Sequence, residues 1–166
     1  MADVVDPKTR SRMMSGIRSK NTRPELLIRS LLHRAGFRFR LHKKTIPGRP
    51  DLFLSRYKAA IFVHGCFWHG HDCLLFKMPG SRTGFWQDKI GRNQLRDQRT
   101  HQDVLAAGYR CLTIWECALK GPARIGEPEL LTAIVDWLVS DSPSKEIRSP
   151  ALGAHRKTSK VFSPHC

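Results

Sequence analysis

The chain has 166 residues and carries 29 Lys and Arg against 14 Asp and Glu, a formal net charge of +15. No apolar stretch approaches the roughly 20 residues that cross a bilayer, and the first residues lack the apolar centre of a signal peptide, so we expect a cytoplasmic protein rather than a membrane or secreted one. The length suits one domain with a real core, and the positive surplus favours a polyanionic partner, most commonly nucleic acid. Charge alone does not separate such a protein from a ribosomal-type basic protein.

The first half of the chain predicts a basic arm, one helix and three strands. Residues 1–20 are basic and weakly periodic, which is typical of an arm or a loosely attached helix. Residues 21–36 have helical apolar spacing, with Thr22 as N-cap, Glu25 completing a capping box and Gly36 ending the helix. Short strands, the last two forming a hairpin, are predicted at residues 37–41, 51–55 and 59–64.

The second half predicts a Cys/His-rich loop, a long polar helix at 85–107, a buried strand at 109–115 and an amphipathic helix at 128–139. From residue 140 to 166, Ser, Pro, Lys and Arg dominate and apolar spacing is lost, so we expect a disordered basic tail. The order of elements indicates one α/β domain, residues 21–139, with a small mixed sheet flanked by helices.

The five cysteines lie at positions 66, 73, 111, 117 and 166. An odd number in a reducing compartment argues against a disulfide framework and favours metal ligands or buried thiols. We assign Cys111 to the core, because it lies within a predicted buried strand, and Cys166 to a free terminal thiol.

The stretch "FVHGCFWHGHDC" contains candidate zinc ligands. Cys66, His71 and Cys73 lie within eight residues, and zinc prefers four thiolate or imidazole ligands in a tetrahedron. On an extended loop, residues 69, 71 and 73 share one side. The best candidate for the fourth ligand is Cys117, just past the end of a strand. The alternative is that Cys66 and Cys117 are buried thiols with surface histidines between them.

Polar residues at one end of the predicted hairpin are candidates for catalysis. Asp51 opens a strand directly after "PGRP", where a carboxylate can hold Mg²⁺ against a phosphate. His64 ends the neighbouring strand and reaches the same end of the sheet, and His69 is free to exchange a proton with water if His71 binds zinc. The alternatives are ordinary turn chemistry for Asp51 and a hydrogen-bonded strand end for His64.

Aromatic side chains of the same region are candidates for contact with bases. Phe67 and Trp68 lie inside the proposed zinc loop, and a metal that fixes the backbone would turn them outward. Exposed rings can wedge between base pairs and offset the cost of unstacking. Phe85 and Trp86 at the start of the long helix are similar candidates. The alternative is that all four rings belong to the core.

The segments "TRSRMMSGI", "PGRPD", "IFVHGCFWHGHDC", "RTGFWQDKIGRN" and "IWECAL" together closely resemble the bacterial very short patch repair (Vsr) mismatch endonucleases, from about Ala2 to Leu138. The resemblance implies a restriction-endonuclease-like core. It also implies nicking on the 5′ side of the T in a T:G mismatch left by deamination of 5-methylcytosine. The resulting 3′-hydroxyl would start resynthesis by a repair polymerase.

The resemblance also implies roles for individual residues. Asp51 would bind Mg²⁺ together with the backbone carbonyl of Val63, a position where the family often has Thr. His69 would activate water, and His64 would assist at the phosphate or leaving group. Glu25 would support the active site. The implied structural zinc ligands are Cys66, His71, Cys73 and Cys117. The implied intercalating rings are Phe67, Trp68 and Trp86. The basic N-terminal arm would clamp the DNA.

These expectations describe a monomeric, Mg²⁺-dependent, strand-specific DNA endonuclease with a structural zinc. Its partners would be double-stranded DNA with a T:G mismatch and, functionally, a cytosine-5 DNA methyltransferase and a repair polymerase. Two alternatives remain open: a zinc-stabilised DNA-binding module without catalysis, and a restriction nuclease that cuts both strands of matched DNA.

Overall fold

The computed structural model describes residues 6–15 and 19–150. Predictions for the rest of the N-terminal arm and for residues 151–166 of the tail, including Cys166, lie outside the described residues. The helices are α1 (Pro7–Ser15), α2 (Arg23–Arg34), α3 (Thr83–Ala106), α4 (Glu116–Leu119) and α5 (Glu127–Val139). The strands are β1 (Arg40–Leu41), β2 (Leu52–Leu54), β3 (Ala59–His64), β4 (Arg110–Trp115) and β5 (Ser144–Ile147). In these described ranges no helix is long and apolar enough to cross a membrane.

The five strands form one mixed sheet in the order β1-β2-β3-β4-β5. The first three are antiparallel neighbours, with Leu52 opposite Ile61. β4 and β5 then run parallel to β3, and His64 lies opposite Trp115 at the last register position of the β3–β4 pair. The start of β2 and the ends of β3 and β4 therefore meet at one edge of the sheet. This edge carries Asp51, His64 and the chain leading to Cys117.

Helices cover both faces of the sheet and bury the side chains that alternate along its strands. On one face, α2 and α5 pack over Leu52, Ile61 and Leu112, with Trp137 of α5 only 2% exposed. On the other face, Val104 of α3 packs with a smaller group that includes the buried Cys111, as expected for a core thiol. The predicted α/β class, a small mixed sheet flanked by helices, is confirmed.

The start of α2 follows the predicted capping chemistry. Thr22 is the N-cap, and its side-chain oxygen accepts the backbone N–H of Glu25 at 3.4 Å. A Glu25 carboxylate oxygen accepts the N–H of Asn21 at 3.0 Å, so the backbone donors at the helix start are paired. This arrangement holds Glu25 in a buried position below the edge that carries Asp51.

Two predicted boundaries differ from the structure. The strand expected at residues 37–41 is regular only at Arg40–Leu41, because just these two residues pair with β2. The tail expected to begin at residue 140 instead contributes β5, whose backbone pairs with β4 and whose Ile147 is buried. The N-terminal arm includes α1, whose described side chains are exposed, consistent with the loosely attached helix that was one of the two expectations.

Candidate functional site

A Cys/His group lies where the β3–α3 loop meets α4. Cys66, His71, Cys73 and Cys117 place one ligand atom each within 4.8 Å of the others. The Nδ1 atom of His71 is 3.6 Å from the sulfur of Cys66 and 3.6 Å from that of Cys117. These separations match the edges of a zinc-type tetrahedron, which are roughly 3.5 Å for one nitrogen and one sulfur ligand. The four predicted ligands therefore come together in a geometry that fits one metal ion.

The surroundings of this group favour a metal over four free side chains. Cys66 is fully buried, and burial raises the pKa of its thiol, so a nearby cation is needed to hold it as a thiolate. Among residues 6–15 and 19–150, no hydrogen-bond partner reaches the buried Nε2 atom of His71, and the ring of His71 stacks on that of Trp115 with centroids 3.9 Å apart. The N–H of Cys117 donates to the sulfur of Cys66 at 3.3 Å, a contact that stabilises negative charge on sulfur.

His64 and His69 form a second group, on the cleft side of the same loop. Their rings stack in parallel with centroids 4.0 Å apart. The Nδ1 atom of His69 makes a short hydrogen bond with a carboxylate oxygen of Asp97 in α3. Burial, followed by the neighbouring charge of His69, lowers the pKa of His64 to about 3, so its ring is neutral near pH 7. Asp97 thus orients His69, while His64 stays uncharged beside it.

Asp51 lies at the neighbouring strand end, as its position before β2 predicts. Its Oδ2 atom accepts the backbone N–H of Val63 at 2.7 Å. Burial raises the pKa of Asp51 to about 6, and the nearby carboxylate of Glu25 adds to this shift. A carboxylate that is desolvated beside another acid gains most from a bound cation. The geometry therefore suits cation binding at Asp51.

Glu25 is held behind Asp51 by residues of α2 and by His42. Arg29 donates to Glu25 at 2.9 Å, and the Nε2 atom of His42 lies 4.0 Å from the same carboxylate. The Nδ1 atom of His42 is 3.9 Å from Oδ1 of Asp51. Burial lowers the pKa of His42. Glu25, His42 and Asp51 thus make a third group with potential ligand atoms within 4.8 Å.

The aromatic side chains of the loop and of α3 form one cluster. Phe67 lies 5.1 Å from Trp68 and 5.2 Å from Trp86, measured between ring centroids. All three rings are half-buried, whereas Phe85 is 43% exposed. They pack against each other outside the two hydrophobic cores, so the alternative that all four are core residues is wrong.

The α3 helix fixes the loop that carries these rings. Asn93 donates a side-chain hydrogen bond to the carbonyl of Trp68 at 2.8 Å, and Gln94 donates to the carbonyl of His69 at 3.2 Å. The ammonium group of Lys89 lies 5.2 Å from the ring centroid of Trp68. A polar helix without a strong apolar stripe therefore serves as the support for both the rings and the cleft histidine.

One open cleft of about 1240 Å³ joins these elements. It is lined by Glu25, Asp51, His64, His69 and Asp97 as well as by the rings of Phe67, Trp68 and Trp86. Its basic lining residues are Lys20, Lys44, Arg49, Arg82, Lys89, Arg96 and Lys120. A cleft with positive walls and aromatic faces suits a nucleic-acid backbone with bases exposed beside it.

Comparison with known proteins gives the family. The family model for the DNA mismatch endonuclease Vsr matches residues 2–75. The chain is 42% identical over 147 residues to the DNA mismatch endonuclease Vsr of Escherichia coli K12, covering 89% of this chain and 94% of that protein. The chain belongs to the Vsr DNA mismatch endonuclease family.

Two further proteins that the chain resembles are nicking enzymes. The Type II nicking enzyme V.XorIIP of Xanthomonas oryzae pv. oryzae is 48% identical over 119 residues, 72% of this chain and 88% of that protein. The Type II nicking enzyme V.NmeAIP of Neisseria meningitidis serogroup A is 42% identical over 123 residues, 74% of this chain and 88% of that protein. The Vsr-family chain is accordingly a DNA endonuclease of the mismatch or nicking class.

In this Vsr-family chain, the predictions from the sequence did not include two residues that line the cleft. Asp97 is one of several polar residues in a long polar helix, and only the fold shows that it contacts His69. His42 follows a short strand without any motif around it. A weak signal was available for His42, because it lies nine residues before Asp51 and the intervening "PGRP" turn folds the chain back.

Proposed function

We propose that this Vsr-family endonuclease nicks double-stranded DNA on the 5′ side of the T in a T:G mismatch and so starts very short patch repair. The mismatch would arise by deamination of 5-methylcytosine. The observation that carries the proposal is the shared cleft, which combines Asp51, His69 and the half-buried ring of Trp68 within a basic wall. Hydrolysis and recognition of a distorted base pair both need these parts next to each other.

Asp51 is the proposed ligand of a catalytic Mg²⁺, together with the carbonyl of Val63. Its Oδ2 atom already accepts the Val63 N–H, and among the described residues no hydrogen bond occupies Oδ1. Magnesium needs only one or two protein carboxylates when phosphate oxygens and water complete its shell. When bound, the ion would polarise the scissile phosphate and stabilise the negative charge that develops there. Glu25 supports Asp51 from behind without facing the reaction.

His69 is the proposed general base. Asp97 accepts the proton of Nδ1, which leaves the Nε2 lone pair to take a proton from the attacking water. The water oxygen bonds to phosphorus as the bond between phosphorus and O3′ breaks. The leaving O3′ takes a proton from solvent water, so the products are a 3′-hydroxyl and a 5′-phosphate on the T. The neutral His64 assists by hydrogen bonding at the phosphate or the leaving oxygen.

The Cys/His group is the proposed structural zinc site. Cys66, His71, Cys73 and Cys117 supply the soft and borderline ligands that zinc prefers, and four protein ligands leave no open position for catalysis. Zinc would join the β3–α3 loop to α4. Its binding energy would thereby fix the loop segment that carries Trp68 and His69.

Phe67, Trp68 and Trp86 are the proposed wedge that enters the DNA beside the mismatch. A T:G pair stacks less well than a matched pair, so its unstacking costs less and the rings can replace the lost stacking. The basic N-terminal arm would clamp the duplex. One site cuts one strand once, so a monomer is sufficient. In the cell, the enzyme would act in the cytoplasm, on DNA marked by a cytosine-5 methyltransferase, and pass the nick to a repair polymerase.

A nicking assay with end-labelled duplexes tests this function. Duplexes that differ only in one pair, T:G, T:A or C:G, are compared in several flanking sequences on denaturing gels with Mg²⁺. We expect a single cut 5′ of the T of the T:G pair. Cuts in both strands of matched DNA would instead indicate a restriction nuclease.

The Asp51→Asn variant separates catalysis from binding in the same assay. It should bind the T:G duplex and leave it intact. Asp103→Asn, an exposed acid on α3, is the control that should cut normally. If the wild-type protein binds T:G duplexes but cuts none in any flanking sequence, the chain is a DNA-binding module.

A further inference from the structure

Within the described part of the chain, Nδ1 of His42 makes no hydrogen bond, and the ring lines the cleft next to Asp51. We propose that His42 donates its Nδ1 proton to a non-bridging oxygen of the scissile phosphate, next to Asp51. This inference rests on the proposed function, because it requires a phosphodiester to lie against Asp51. It adds a substrate contact to those inferred for Asp51, His64 and His69.

The position of the imidazole is the first support. The ring lies between two carboxylates, with Nε2 at 4.0 Å from Glu25 and Nδ1 at 3.9 Å from Oδ1 of Asp51. Its side chain is 21% exposed and lines the cleft. Any group that approaches Oδ1 of Asp51 from the cleft therefore comes close to Nδ1 of His42.

Arg29 determines which ring nitrogen carries the proton. Its Nη2 atom is 3.2 Å from Nε2 of His42. A guanidinium is always protonated and has no acceptor, so Nε2 must accept this hydrogen bond through its lone pair. The neutral ring then keeps its proton on Nδ1, the atom that faces Asp51.

The arginine is itself held in place. It donates to Glu25 at 2.9 Å and to the side-chain carbonyl of Asn21 at 2.7 Å. These contacts tie Arg29 to the buried Glu25 and to the exposed Asn21 at the start of α2, so Arg29 cannot turn away without breaking two charge-assisted hydrogen bonds. The start of α2 thereby fixes the tautomer and orientation of His42.

The Nδ1 proton has no acceptor of its own in the described structure. The distance of 3.9 Å to Asp51 is too long for a hydrogen bond. A metal ion does not fit this atom either, because Nδ1 is protonated and the Nε2 lone pair is engaged by Arg29. A phosphate oxygen, which only accepts hydrogen bonds, can replace solvent water as the acceptor of this proton when it approaches Asp51 from the cleft.

Two substitutions of His42 distinguish the role of Nδ1 from that of Nε2. The amide nitrogen of Asn can take the place of Nδ1, whereas the longer Gln places its amide near the position of Nε2. His42 has a left-handed backbone with φ of 46°, which Asn tolerates well. His42→Asn should therefore keep the donor without adding backbone strain, and His42→Gln should not keep it.

Single-turnover nicking of a T:G duplex at saturating protein measures the contact. We expect His42→Gln and His42→Ala to cut about ten- to hundredfold more slowly, the effect of losing one hydrogen bond to a charged group, and His42→Asn to stay within about threefold of wild type. His33→Ala removes an exposed histidine of α2 and should have no effect. If the Gln variant cuts as well as or better than the Asn variant, the proposed contact is wrong.

A measurement without DNA tests the tautomer separately. Long-range ¹H–¹⁵N correlation spectra of the labelled protein, with the His42 signals assigned through the Asn variant, should show a proton on Nδ1 and a bare Nε2. A proton on Nε2 would overturn the inference even if nicking is normal. Conversely, a wild-type protein that shows the expected tautomer but cuts no DNA would contradict the proposed function and not the arrangement of Arg29 and His42.

Discussion

His69 and His71 are two residues apart on one loop and lie in opposite environments. His71 is 7% exposed, stacks on Trp115 and points Nδ1 at two cysteine sulfurs. His69 is half-buried in the cleft, and its Nδ1 contacts Asp97. The same side chain is thus a candidate metal ligand on one side of the loop and a candidate base on the other. The group that faces Nδ1 differs between the two rings: cysteine sulfurs for His71, which suits metal binding, and a carboxylate for His69, which suits proton transfer at Nε2.

Gly70 lies at the turn between the two histidines. The expectation that residues 69, 71 and 73 share one side of an extended loop is wrong, because the backbone turns at Gly70 with φ of 58°. A Cβ atom at this position would lie 2.5 Å from a side-chain carbon of Ile90. A side chain here would have to displace Ile90 and adopt a left-handed backbone, so glycine favours the turn that separates the two histidines.

Replacing His71, the histidine next to the cysteines, should have the largest effect on the protein, because it should affect both metal content and folding. His71→Ala deletes one of four ligands, so we expect loss of bound metal and unfolding or aggregation at 37 °C, since a structural metal supplies folding free energy. Metal analysis by mass spectrometry and thermal unfolding measure this. A variant that keeps its metal and the wild-type melting temperature would show that His71 is not a ligand of a structural metal.

Removing the cleft-side histidine should leave the fold intact. His69→Ala should lower the nicking rate by about 10³-fold, the typical contribution of a general base, while metal content stays at the wild-type level. The two alanine variants are matched in chemistry and two positions apart, so they test the division directly. Equal loss of metal in both would show that the loop has one function and not two.

Changing the partner of His69 should have an intermediate effect. Asp97→Asn keeps the shape of the side chain but can donate to Nδ1, which favours the tautomer with a protonated Nε2. We expect the nicking rate to fall roughly 100-fold, a part of the general-base contribution, with unchanged DNA affinity. An unchanged single-turnover rate would show that the short contact does not orient the base.

Removing one ring should have the smallest effect on the rate at saturating protein. Trp68→Ala should reduce the preference for T:G over matched duplexes by about tenfold, the value of one base–ring stacking contact. The melting temperature should change little, because Trp68 lies outside both hydrophobic cores. A large drop in melting temperature with unchanged preference would mean that the ring is structural.

The features that could be predicted from the sequence are those determined by residues close together in the chain or by residue type. The capping of α2 by Thr22, the β2–β3 hairpin and the set of ligands around Cys66 follow from local spacing and from the preferences of zinc. The pairing of His69 with Asp97 spans 28 positions, and the polar face of α3 gives no sign of which carboxylate is used. β5 was missed because "SKEI" has one buried apolar residue, and backbone pairing with β4 defines this strand.

We infer that a metal on one side of the loop holds the base and the rings in place on the other side. The most direct test is a chelator titration of the Asp51→Asn variant, which binds but should not cut, with bound metal and affinity for T:G and T:A duplexes measured in the same samples. We expect the preference for T:G to disappear with the same midpoint as the bound metal. A preference for T:G that persists after the metal has left would contradict it.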